Sequence, residues 1–120
     1  MYAETHEWFL LEDGVVTMGI TQYAADELTD ITFVELPKVG THFAVGDTVG
    51  DVESVKATSE ILTAVAGTVV DVNQALTEHP ELLNDDAFDE GWIVKIKVDG
   101  ADPLKSLMSA KEYTSFVKNL

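Results

Sequence analysis

The chain has 120 residues, 46% of them apolar and 24% charged, a balance that suits one folded domain rather than a disordered segment. Seven lysines, no arginine and 22 acidic residues leave a formal charge of −15. Such a field repels phosphate backbones and anionic headgroups, which excludes nucleic acid and membrane surfaces as partners, and the lack of cysteine excludes disulfides, thiolate nucleophiles and cysteine-bound metals.

In chain order, Glu7 to Glu12, Asp13-Gly14 and Val15 to Ile20 read as a hairpin with a type I′ turn, because Asp-Gly tolerates two positive φ angles. Thr21 can cap a short helix through Leu28. Ile31 to Leu36 is a strand closed by Pro37. Phe43 to Val55 and Thr58 to Val72 carry the central strands, with breaks expected at Gly46 and Gly67. Asn73 to Leu76 and the stretch around Pro80 to Leu83 look like helical turns. Trp92 to Val98 alternates as a half-buried strand should. Asp102-Pro103 sets an N-cap and first helical position for Leu104 to Leu107. Ser109 with Glu112 three residues later is a capping box for a final helix ending near Lys118. The sum is one mostly β domain, 1–120, with small peripheral helices and a C-terminal helix.

An internal repeat crosses the middle of the chain. Ala44 to Val52 aligns with Ala64 to Val72 without a gap, and six of the nine positions agree. Two similar halves imply a quasi-symmetric sandwich, with Lys56 between them near its axis. Val55-Lys56-Ala57 falls where a hairpin, about 48–65, must turn, yet it has none of the glycine or asparagine chemistry that tight hairpins prefer. A local rule broken at a tip that holds up an amine points to a use for the amine.

Nothing else in the sequence assembles an active site. His6, His42 and His79 lack metal-ligand spacing. Ser54 and Ser59 have no base nearby and no nucleophile elbow. The glycines form neither a P-loop nor a dinucleotide fingerprint. Trp8 and Trp92 suit core anchors. An acyl arm on Lys56 that carries its own sulfurs would let a cysteine-free chain take part in thiol chemistry, with the protein supplying the positioning.

Glu53-Ser54-Val55-Lys56-Ala57 resembles the lipoyl-attachment motif of the glycine cleavage system H proteins. His6-Glu7-Trp8, Gly19-Ile20-Thr21, Val34-Glu35-Leu36-Pro37, Gly91-Trp92 and Ala110-Lys111-Glu112-Tyr113 resemble that family's landmarks in the family's order. The resemblance implies a lipoyl/biotinyl-type β-sandwich (a barrel-sandwich hybrid) and lipoate in amide linkage to Lys56. It also implies a carrier rather than an enzyme. In that family the lipoyl disulfide accepts an aminomethyl group on a pyridoxal-phosphate glycine decarboxylase and delivers the one-carbon unit to a tetrahydrofolate-dependent aminomethyltransferase. A dihydrolipoyl dehydrogenase then reoxidises it, and a lipoyl ligase or transferase installs the group.

By position, Glu7, Thr5 and Glu60 match the cleft that shelters the loaded arm, with Glu60 standing where aspartate is more usual. Glu53 matches a determinant read by the lipoylating enzyme. Biotin carriers place methionines beside their lysine and 2-oxo acid dehydrogenase lipoyl domains place aspartate before it, so Val55 and Ala57 favour the glycine system. The alternative within the family is a relay or depot of lipoyl groups for other enzymes; outside it, an unmodified acidic interaction module. A shuttle that visits several partners is expected to be a monomer. The first residues lack a secretory pattern, so the expected location is the cytoplasm, or the mitochondrial matrix if a transit peptide has been removed.

Overall fold

The computed structural model describes residues 1–99, 104–105 and 107–120. The first hairpin is β1 (Glu7–Glu12) and β2 (Val15–Ile20), and its Asp13 and Gly14 have φ of 50° and 78°, the pair of positive angles a type I′ turn needs. Helix α1 (Gln22–Leu28) starts where the Thr21 hydroxyl accepts the Ala24 amide. Then come β3 (Ile31–Glu35), β4 (His42–Phe43), β5 (Thr48–Ser54), β6 (Thr58–Leu62) and β7 (Gly67–Val72). Two single-turn helices, α2 (Ala75–Glu78) and α3 (Leu82–Asp85), lead to β8 (Val94–Val98). The final helix, α4 (Ala110–Lys118), opens on the expected capping box between Ser109 and Glu112. The helix expected from Asp102-Pro103 has its start outside the described residues.

Two antiparallel sheets face each other, one in the order β1-β2-β8-β7-β4 and the other β3-β5-β6. Their inner faces close over Val16, Met18, Val34, Val52, Val69 and Ile96, all 2% exposed or less, which is the sandwich expected of the lipoyl/biotinyl type. The internal repeat maps onto this architecture. Its equivalence carries β5 onto β7 and, extended back past Ala44, carries β4 onto Leu62 and Thr63 at the end of β6, and each sheet holds one of the resulting pairs, β5 with β6 and β4 with β7. The segments at 44–47 and 63–66 are equivalent in the repeat, and at each the chain crosses from one sheet to the other. They brace each other: Gly46 N–H donates to Thr63 O at 2.7 Å and Thr63 N–H to Asp47 O at 3.0 Å.

Some boundaries differ from the sequence reading. The second central strand breaks over 63–66, not at Gly67, because the buried Thr63 hydroxyl turns back on its own backbone, donating to Val65 O at 2.7 Å and accepting Val65 N–H at 3.1 Å. Gly67 instead begins β7, where a Cβ would stand 2.2 Å from Lys97 O. Asn73 opens the expected turn, its carbonyl accepting the Leu76 N–H at 3.1 Å and its side-chain oxygen the Ala75 N–H at 3.3 Å, while the helix proper runs from Ala75 to Glu78. The Asn73 side-chain amide donates to Glu90 O and Trp92 O at 2.8 Å each, which pins the segment before β8 and delays that strand's start to Val94.

Candidate functional site

The β5–β6 hairpin carries Lys56 on its tip. β3 and β6 flank β5, and β3 comes so close that a Cβ on Gly50 would stand 2.2 Å from Glu35 O. Only glycine permits that approach, and it seats the hairpin firmly on its neighbour. At the tip, no residue from Ser54 to Ala57 has positive φ. The turn is made by a side chain instead: the Ser54 hydroxyl accepts the amide N–H groups of Lys56 (3.3 Å) and Ala57 (3.1 Å), while Ser54 N–H donates to Ala57 O at 2.8 Å. A serine folded onto the backbone after it replaces the missing turn residue. Sequence reasoning weighed Ser54 as a nucleophile and missed this role, although a serine two positions before an improbable turn residue is its signal. Val55 N–H donates to Asp30 O at 3.2 Å, tying the tip to the loop before β3.

Lys56 is exposed, and among the described residues no carboxylate lies within the 4.0 Å of an ion pair. Its amine is therefore held out on a fixed turn with no internal partner, the arrangement a covalently attached acyl group requires. Glu53 is exposed three residues earlier, directly across from Phe33 on β3 and from Thr58 on β6.

Glu7 stands in contrast. It is 2% exposed. One carboxylate oxygen accepts the Thr5 hydroxyl and the other accepts the Leu62 N–H at 3.3 Å. Because β6 is an edge strand of its sheet, that amide would otherwise face away from any strand. Burial raises the Glu7 carboxyl above the ordinary carboxylate range, against the downward pull of its hydrogen bonds to Thr5 and Leu62. Glu60 is exposed two residues before Leu62 on the same strand, its carboxylate accepting the Thr48 hydroxyl at 3.1 Å. The structure thus brings Thr5, Glu7 and the base of β6 together, with Glu60 one step toward the tip. It leaves Glu53 and Lys56 apart from them. Leu62 is six residues beyond Lys56, on the order of 20 Å along an extended strand.

A second network holds the amino-terminal segment in place. The Tyr113 hydroxyl lies 2.7 Å from His6 Nδ1 and 2.8 Å from Thr21 Oγ1, with the Tyr2 ring stacked on Tyr113 at 4.8 Å. Burial lowers the His6 pKa and raises that of Tyr113, so both are neutral at neutral pH and the link is an uncharged hydrogen-bond chain. His42 and His79 are exposed, and among the described residues their rings pair with Asp99 and Glu81 respectively. No group of metal-ligating side chains occurs among the described residues.

Comparison with known proteins identifies the family. The family model described as Glycine cleavage H-protein matches residues 1–120. The glycine cleavage system H protein of Coprothermobacter proteolyticus is 48% identical over 117 residues, 97% of this chain and 92% of that one. The mitochondrial H protein of Pisum sativum is 47% identical over 115 residues, 96% of this chain and 70% of that one. A crystal structure of the H protein from Mycobacterium marinum superposes with a TM-score of 0.88 at 32% identity, covering 99% of this chain and 95% of that one. With a full-length family match, close relatives and a shared fold in hand, the chain belongs to the glycine cleavage H-protein family, the lipoyl-carrying shuttle of the glycine cleavage system and a carrier component rather than a catalyst.

Proposed function

We propose that Lys56 is the lipoyl attachment point of this shuttle. The observation that carries the reading is the exposed amine on a turn built by Ser54, at the end of a hairpin seated on β3. Acylation needs the ammonium to lose its proton first. The Nζ lone pair then forms an amide bond to the carbonyl carbon of an activated acyl donor, and the bond to the activating group breaks as that group leaves with the electron pair. A lipoyl ligase or transferase supplies the donor, and Glu53 is its recognition residue. The modified lysine loses its charge and gains reach. When bound, the lipoyl group supplies a disulfide that takes up a one-carbon amine unit and is restored by oxidation.

The chain's own residues serve the returning arm. Glu7 is a desolvated carboxylate with no cationic partner among the described residues, so a cation brought beside it would offset much of its burial cost. Thr5 fixes one of its oxygens, and Glu60 offers a second, solvated carboxylate along the route from the tip. The partners of the shuttle are the pyridoxal-phosphate glycine decarboxylase, the tetrahydrofolate-dependent aminomethyltransferase and the dihydrolipoyl dehydrogenase. It visits them as a monomer in the cytoplasm, its acidic surface suiting transient docking onto basic patches. The relay alternative draws no support from the matches, which name the glycine cleavage system itself.

The test is Lys56→Arg, which keeps the charge and removes the acylable amine. The variant should keep the wild-type melting curve, take up no lipoate and support no glycine-dependent one-carbon transfer in a reconstituted system. Transfer at the wild-type rate would contradict the proposal.

A further inference from the structure

The outer face of the β3-β5-β6 sheet is laid out in register. Phe33, Glu53 and Thr58 form one row across the three strands, and Glu35, Asp51 and Glu60 form the next row away from the tip. Phe33 is 48% exposed and Val55, the residue before the lysine, is 69% exposed. An aromatic ring on the outer face of an edge strand and a valine on a tip both leave apolar surface in water, which burial against a partner would recover. Neither side chain belongs to the core cluster.

We propose that Phe33 and Val55 are the apolar contacts by which the enzyme that acylates Lys56 grips this chain. The inference rests on the reading of Lys56 as the attachment point. The occupant follows from reach. An enzyme that handles only the far end of a long arm can work at a distance from the hairpin. The acylating enzyme must take the lysine amine itself into its active site, so its surface has to cover whatever adjoins the tip. Phe33 lies opposite Glu53, which is three residues from Lys56, or about 10 Å along the strand. The carboxylates of Glu35, Asp51, Glu53 and Glu60 around it call for a partner whose rim is basic and whose centre is an apolar pocket.

The experiment uses full-length chain purified without lipoate, a purified lipoate–protein ligase, lipoate and ATP, with intact mass as the readout of modification. Phe33→Ser and Val55→Ser are compared with Leu10→Ser, a residue 52% exposed on the other sheet. Loss of one interfacial aromatic contact should raise the KM for the chain by about tenfold in Phe33→Ser. Val55→Ser should raise it by about threefold, from its smaller apolar area. The kcat should stay within about twofold, and Leu10→Ser should match wild type, with Phe33→Leu restoring most of the KM. An unchanged KM in both Phe33→Ser and Val55→Ser would overturn the inference while leaving Lys56 as the attachment point. Failure of the wild-type chain to gain mass at Lys56 would overturn the attachment reading itself, and this inference with it.

Discussion

Glu7 and Leu62 belong to different sheets, yet the Glu7 carboxylate accepts the Leu62 N–H at 3.3 Å. A buried acid on β1 thereby closes the free edge of β6, the strand that descends from Lys56. The contact joins the amino-terminal segment to the lysine hairpin, and it makes the stability of the fold depend on the protonation of one side chain.

The sign of that dependence follows from burial. The folded-state pKa of Glu7 is raised, so within the window between its unfolded and folded values the native state holds more protons than the unfolded state. Its contribution to stability is complete below the unfolded value and is lost as pH rises through the folded one. The difference in unfolding free energy between wild type and Glu7→Gln should therefore shift in favour of Glu7→Gln as pH rises from about 4 to neutrality. Urea titrations of both proteins across that range measure it. A difference that does not change with pH would show that Glu7 is not held in a desolvated site.

Ser54 should matter to the tip and to little else. Ser54→Ala removes the acceptor for the Lys56 and Ala57 amides, at a cost of about 1 kcal/mol. Hydrogen exchange should quicken at Ala57 while the amides of β7 and β8 keep their protection. Equal protection of Ala57 in variant and wild type would mean that the backbone holds this turn unaided.

Gly50→Ala should be far more damaging. The new Cβ would stand 2.2 Å from Glu35 O, and the obstacle is backbone, which cannot rotate away. Separating β3 from β5 to relieve that clash should cost about 3 kcal/mol, seen as a lower denaturant midpoint. A loss below about 0.5 kcal/mol would show that the two strands can part freely.

The sequence made the first hairpin, α1 and α4 legible because each carries its own local chemistry: Asp13-Gly14, the Thr21 cap and the Ser109–Glu112 box. The corner at Thr63 was not legible. Thr-Ala-Val reads as strand, and only a buried hydroxyl turned onto its own backbone breaks it. The site divides in the same way. Lys56, Glu53, Thr5, Glu7 and Glu60 could be singled out from family landmarks, but the burial of Glu7 depends on a strand 55 residues away, and no local pattern encodes it. Phe33 is the converse case. In a strand of apolar residues it passes for core, and only the register with Glu53 shows that it faces outward.

Tyr113 ties the last helix to the amino-terminal segment through His6 and Thr21. Tyr113→Phe removes the hydroxyl and leaves both partners with one hydrogen bond fewer, which should cost about 1–2 kcal/mol. The same change should speed exchange of the Tyr2 and Met108 amides, which bond each other's carbonyls at 2.8 Å. Unaltered stability and exchange would show that stacking on Tyr2, not the hydroxyl, docks the helix.

The most direct test of the central claim is the intact mass of protein from its native host, with peptide mapping to locate any added group. The account predicts a gain of one lipoyl group, confined to Lys56. A chain with no such gain in lipoate-replete cells, or with the group on another lysine, would contradict it.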